Sequence, residues 1–172
     1  MRVARLGLTL PLLLAACSSA PPAGAPSPDR ALVLVESSGG NPETEAFVAR
    51  FLSILSDAGL GNIADARLSG ARLETLRVAT SPEAVRFRAA YPGDGYIGLD
   101  LPPCGYVGRA TGLKCTATVV LLSSEGKERV KFEASATNAT GYSSESDRNP
   151  EAEATLAAAQ KAAKRLVALL PH

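Results

Sequence analysis

Hydrophobic and polar positions alternate with two different periods along this chain. Ala31-Leu32-Val33-Leu34-Val35 is a short continuous apolar run, which predicts a strand buried on both faces. Ser37-Ser38-Gly39-Gly40 ends it. Asn41-Pro42-Glu43 then supplies a cap residue, a proline for the first helical position and an acid for the first turn. Val48, Phe51, Leu52, Leu55 and Ala58 follow at helical spacing, and Gly59 and Gly61 stop the helix. Asn62 to Leu68 reads as a second, weaker strand, and residues 69–80 carry no clear pattern. Ser81-Pro82-Glu83 repeats the helix-start signal and predicts a short helix to about Ala90. Pro92-Gly93-Asp94-Gly95 is a turn, and Tyr96 to Leu101 is a strand closed by Pro102-Pro103.

The clearest period-2 pattern lies further on. Between Cys115 and Leu122, Cys115, Ala117, Val119 and Leu121 face one way and Thr116, Thr118, Val120 and Leu122 the other. Ser123-Ser124-Glu125-Gly126-Lys127 predicts a hairpin turn. Val130, Phe132, Ala134 and Ala136 then alternate with Arg129, Lys131, Glu133, Ser135 and Thr137, a strand with one wet face. Residues 143–148 are polar loop. Asn149-Pro150-Glu151 starts a last helix with an inner stripe of Leu156, Ala159, Ala163, Leu166 and Leu170. Lys161, Lys164 and Arg165 sit late in it, where cations suit the helix dipole. The order β-α-β-α-β-β-β-α predicts an α/β (α+β) domain. Its mixed sheet has four to five strands, with two long helices and one short one packed on one side.

Upstream of this domain, Arg2 and Arg5 precede an apolar run from Leu6 to Ala16 broken only by Thr9 and Pro11. That is a secretory signal pattern, too short to span a bilayer, which needs about 20 apolar residues. The run ends Leu14-Ala15-Ala16-Cys17, which resembles the lipobox of bacterial lipoproteins. The resemblance implies cleavage before Cys17 and a lipid on its sulfur; an ordinary signal peptide with a chance cysteine is the rival reading. Ser18 in place of aspartate implies the outer membrane, facing the periplasm, in a host with two membranes. Residues 18–29 read SSAPPAGAPSPD, a Pro/Ala/Ser tether that cannot form a core. The organisation expected is a signal peptide over 1–16, a lipidated cysteine and tether over 17–30, and one periplasmic domain over 31–172.

Charge excludes one class of partner. Losing Arg2 and Arg5 turns 18 basic and 17 acidic side chains into 16 and 17, a formal charge of −1. Nothing in that balance strongly attracts a polyanionic partner, whether nucleic acid or anionic lipid. With Cys17 as the anchor, Cys104 and Cys115 remain as an even pair, and an oxidising envelope favours a disulfide between them. Two free thiols, or a metal site short of ligands, are the alternatives.

Catalytic chemistry finds few residues. His172, the last residue, is the sole histidine, so a His-based triad, general base or metal site is not expected. Ser37-Ser38-Gly39-Gly40 lacks the spacing of a phosphate loop. Asp94 and Asp100 flank the strand at Tyr96, but a working carboxylate pair needs a shared pocket. The expectation is no catalytic residue, no metal and no cofactor.

The order of elements resembles a family of envelope domains. It includes the penicillin-binding-protein activator lipoprotein, the periplasmic domain of the curli-secretion lipoprotein and the amino-terminal domain of the Tol-system propeller protein. The matching pieces are ALVLVESSGGNPETEAFVARFL, SPEAVRFRAAYPGDGYIGLDL, TATVVLLSSEGKERVKFEASATNATGYS and EAEATLAAAQKAAKRLVALL. The resemblance spans residues 31–170, without a counterpart for residues 69–80 or for the Cys104–Cys115 loop. It implies a non-catalytic module, held to the membrane through Cys17, that docks on an envelope protein or enters an assembly. A carrier of a lipid or lipopolysaccharide-like ligand is the alternative, and an apolar groove between helices and sheet would mark it. The oligomeric state is left open.

Overall fold

A mixed sheet forms around the first apolar run. The computed structural model describes residues 31–107, 112–139 and 149–170. The expected signal peptide, Cys17, the expected tether, the expected polar loop at 143–148 and His172 lie outside the described residues. The run at Leu32 becomes β1 (Leu32–Ser38), an interior strand. Leu32 and Leu34 enter one core and Val33 and Val35 a second, so neither face tolerates a polar side chain there. β2 (Ile63–Asp65) and β3 (Gly95–Asp100) flank β1, both parallel to it. β5 (Gly112–Ser123) pairs antiparallel with β3, with Ile97 opposite Leu121 and Leu99 opposite Val119. β6 (Glu128–Ala139) pairs antiparallel along the other side of β5. A sixth strand, β4 (Gly105–Val107), forms inside the stretch read as a loop and pairs with residues 112–114 of β5.

The long helices α1 (Thr44–Asp57) and α4 (Pro150–Leu169) cover one face. Phe47, Phe51 and Leu55 of α1 and Ala158, Ala159, Ala162, Ala163 and Leu166 of α4 fill that core. The small alanine side chains let α4 lie close to α1 and the sheet. Leu156 stands outside this stripe and is exposed, contrary to the sequence expectation. The short helices α2 (Leu73–Arg77) and α3 (Pro82–Ala90) lie on the opposite face, over β1 and β3. The helices therefore occupy both faces rather than one. Val33, Val35 and Tyr96 point away from the long helices and need a second cover, which Leu73, Leu76, Ala84 and Phe87 provide. The wet face of β6 is as the alternation predicts, with Arg129, Lys131, Glu133 and Thr137 exposed.

The weak strand after α1 is only three residues long. A 3-10 turn at Arg67–Ser69 ends it, because Arg67 turns back to bind Asp65 at 2.8 Å and Glu45 of α1 at 2.8 Å. The Arg67 guanidinium donating to Asp65 holds that carboxyl below its usual range. The patternless residues 69–80 contain α2. Its Leu73 packs onto Gly98, where an added Cβ would come within 2.8 Å of the leucine Cδ2.

Candidate functional site

The chain crosses itself at the end of the sheet where β1 and β3 finish. The β1–α1 loop leaves Ser38 and passes over Leu101. Gly39 adopts φ +101°, and a Cβ there would collide with the Leu101 backbone, so only glycine fits. The Leu101 amide donates to the Ser38 carbonyl at 2.7 Å, and the Asn41 amide donates to the Leu101 carbonyl at 3.0 Å. The Ser-Ser-Gly-Gly loop is thus built to lie on the end of β3.

Asn41 is the hub. The sequence predicts it as the cap of α1, yet the helix starts three residues later with Glu43 in the cap position. The Asn41 Oδ1 accepts from the Glu43 amide at 2.7 Å, a local turn that leads into the helix. Its Nδ2 donates to the Pro102 carbonyl at 3.3 Å and lies 3.5 Å from Cys104 Sγ. One buried amide thereby ties the start of α1 to the segment leaving β3.

Cys104 and Cys115 form the expected disulfide, with Cα atoms 4.4 Å apart. Thr155 of α4 lies beside it, its Oγ1 3.5 Å from Cys115 Sγ and 3.6 Å from Cys104 Sγ. A disulfide sulfur carries no proton, so the hydroxyl donates. Asn149 caps α4, accepting from the Glu151 and Ala152 amides at 3.1 and 3.2 Å. Its Nδ2 donates to Glu43 Oε1 at 3.1 Å. Both long helices therefore start at this end, side by side.

Past this anchored base, β4 and the opposing part of β5 extend as a short hairpin. Tyr106 is 74 % exposed and Val107 is 43 % exposed. An aromatic and a branched aliphatic side chain are thus presented to solvent on backbone that a disulfide, Asn41 and Thr155 hold from behind. Aromatic side chains on rigid supports are the groups that anchor protein contacts. Sequence reasoning found both cysteines but missed Tyr106 and Val107, whose local signal was drowned by the glycines around them.

The other predicted candidates are dispersed. Asp94 and Asp100 sit at opposite ends of β3, about 20 Å apart along an extended strand. Asp94 accepts from the Ala31 amide at 2.9 Å, while Asp100 accepts from the Ser38 hydroxyl at 3.3 Å. Lys161 donates to the Ser135 carbonyl at 3.0 Å and Arg165 to the Glu133 carbonyl at 3.0 Å. These two cations cover the outer edge of β6. Among the described residues, no group of three His, Cys, Asp or Glu is placed to hold a metal ion.

The interface between the long helices and the sheet is closed, with Phe51, Leu55, Val119, Ala159 and Leu166 inaccessible to solvent. A recess of about 140 Å³ opens at its far end, between Leu32, Leu121, Val130 and Leu170. On the opposite face, a groove of about 290 Å³ lies between α2 and the sheet. Its lining mixes Glu36, Asp100, Arg77 and Lys131, and Arg77 is engaged by Glu128 at 2.7 Å.

No protein-family profile and no curated protein matches the sequence. Solved structures do. PelC of Paraburkholderia phytofirmans, solved as a dodecamer, is similar with a TM-score of 0.52 at 12% identity, over 86% of this chain and 92% of that one. The hypothetical protein CT253 of Chlamydia trachomatis gives 0.54 at 8% identity, over 81% and 97%. Lipoprotein GNA1162 of Neisseria meningitidis gives 0.44 at 13% identity, over 81% and 98%. At these identities the likeness to PelC and CT253 is one of fold.

Proposed function

We propose that this chain is a lipid-anchored protein of the bacterial envelope, tethered through Cys17, whose folded domain is a non-catalytic assembly module. It joins an envelope partner, including further copies of itself. The observation that carries this reading is the braced β4–β5 hairpin, which presents Tyr106 and Val107 at the end of the sheet opposite the tether. Two further features support it. The buried polar groups at the base of the hairpin, Asn41 and Thr155, are engaged with neighbouring backbone and with the disulfide. PelC, with a similar fold, assembles as a dodecamer. The closed interface between helices and sheet weighs against the carrier alternative, which needs an open apolar groove.

The test places a photocrosslinking amino acid at Tyr106 and, in a second strain, at Lys131 on the wet face of β6. The expected result is one discrete adduct from position 106 in intact cells and none from position 131. Equal, smeared labelling from both positions refutes the hairpin as the contact. Recovery of the protein as a monomer carrying stoichiometric lipid transfers the argument to the carrier alternative.

A further inference from the structure

We propose that the opposite end of the domain, where the tether enters, docks on the phospholipid surface. Leu169 enters the boundary between headgroups and acyl chains, and Arg129 meets a lipid phosphate. The proposal rests on the reading of Cys17 as a lipidated anchor and adds to it a fixed orientation of the domain.

The chain enters the fold at a defined point. The Ala31 amide donates to Asp94 Oδ2 at 2.9 Å and the Asp94 amide donates back to the Ala31 carbonyl at 2.7 Å. The linker of residues 18–30 extends to about 45 Å at most. β5, with 12 residues, is itself about 40 Å long. The entry end is therefore held within reach of the bilayer, while the hairpin at the far end stands most of a domain length away. A linker this short keeps its two ends at high effective concentration, so a weak contact suffices to orient the domain.

The groups gathered at the entry end suit a lipid surface. The last turn of α4 carries Leu169, 46 % exposed. Beside it the recess of about 140 Å³ is floored by Leu32, Leu121, Leu122, Val130 and Leu170. Arg129 and Asp94 line it too, as its polar members. An exposed apolar side chain next to an apolar recess, with Arg129 among its lining residues, matches the layered chemistry of a phospholipid: acyl chain below, phosphate above. Asp94 and Glu125 offset Arg129 and Lys127 at this end. A diffuse negative membrane potential therefore gives no strong pull, and a local phosphate contact at Arg129 accounts for the docking better.

The experiment uses the absence of tryptophan from this chain. Leu169→Trp and Tyr106→Trp each introduce a single indole, at an exposed position and at opposite ends of the domain. The lipidated proteins are placed in vesicles of phosphatidylethanolamine and phosphatidylglycerol with bromine on the acyl chains. The expected result is severalfold stronger quenching for the indole at position 169 than for the one at 106. Adding Arg129→Ala to Leu169→Trp should lower the docked-to-free ratio severalfold, because the charge-assisted hydrogen bonds to the phosphate are lost. If the acylated protein stays on the vesicles with the indole at 169 unquenched, or with both indoles quenched alike, the docking is refuted and the anchor stands. If mass spectrometry finds no acyl groups on Cys17 and the protein does not sediment with vesicles, the anchor reading fails and the docking fails with it.

Discussion

Removing the disulfide measures how much of the hairpin end depends on it. The double substitution Cys104→Ala, Cys115→Ala opens a closed loop of about a dozen residues, since the cysteines are 11 apart in sequence. On the chain-entropy model such a loop contributes about 3 kcal/mol by restricting the unfolded chain. For a domain of this size that corresponds to a fall in Tm of about 10 °C. Packing adds little to the difference, because alanine keeps the buried Cβ of Cys115 in place. The loss should also be local in the native state. Asn41 and Thr155 lose their sulfur neighbours, so the backbone from residue 104 to Val107 should exchange its amide protons faster while β1, β3 and β6 do not. Urea unfolding of the wild type, of the double variant and of the wild type in reductant supplies the energies, and hydrogen exchange supplies the location. The reasoning is refuted if the variant, or wild type shown by mass to be reduced, unfolds within about 1 kcal/mol of the oxidised protein. Faster exchange spread evenly over the sheet would refute the local part.

Three further outcomes test separate parts of the fold. Arg165→Ala removes the donor to the Glu133 carbonyl and the guanidinium 4.8 Å from the Phe132 ring centroid. It should cost about 1 kcal/mol in urea unfolding and raise concentration-dependent association by sedimentation, because it bares the edge of β6. Gly126→Ala should cost more than about 1 kcal/mol, since this residue of the β5–β6 turn has φ +87° and an added Cβ would strike the Leu76 carbonyl. Burial raises the Tyr96 phenol above its usual range. The unfolded chain thus loses that proton first, and stability falls as pH rises above about 10. Tyr96→Phe should flatten that alkaline fall in a series of thermal melts.

How far the fold was legible depended on how locally each element was determined. β5 and β6 have strict period-2 patterns and a glycine turn, and they appear with the predicted faces inward. Asn149-Pro150 and Ser81-Pro82 carry their own caps, and both asparagine and serine accept the amides that the pattern promised. The failures follow the opposite rule. α2 has five residues, and its leucines are read only against Gly98 and the turn at Gly126, both remote in sequence. β2 is cut short by Arg67 reaching Glu45, a contact between residues 22 apart. The second helical layer was hidden because a continuous apolar strand implies cover on both faces without saying what supplies it.

The candidate site repeats that contrast at higher stakes. Its covalent part was readable by arithmetic, since two cysteines remain when Cys17 is read as the lipid anchor. Its geometry was not, because Asn41 gives one set of atoms to a local turn and another to a segment about 60 residues away. That double use explains the position of the exposed side chains. Tyr106 and Val107 are tolerable on a three-residue strand only because Cys104, one residue before it, is fixed by the disulfide and by Asn41. Exposed apolar groups on an unbraced glycine-rich loop would collapse onto the nearest surface. A brace that keeps them extended works against such collapse, and it is intelligible if the exposed face meets something else. The same end collects both long-helix starts, so a load on the hairpin passes through the disulfide and Asn41 directly into α4 and α1. An assembly contact placed there acts on the whole core, which a contact on the wet face of β6 would not do.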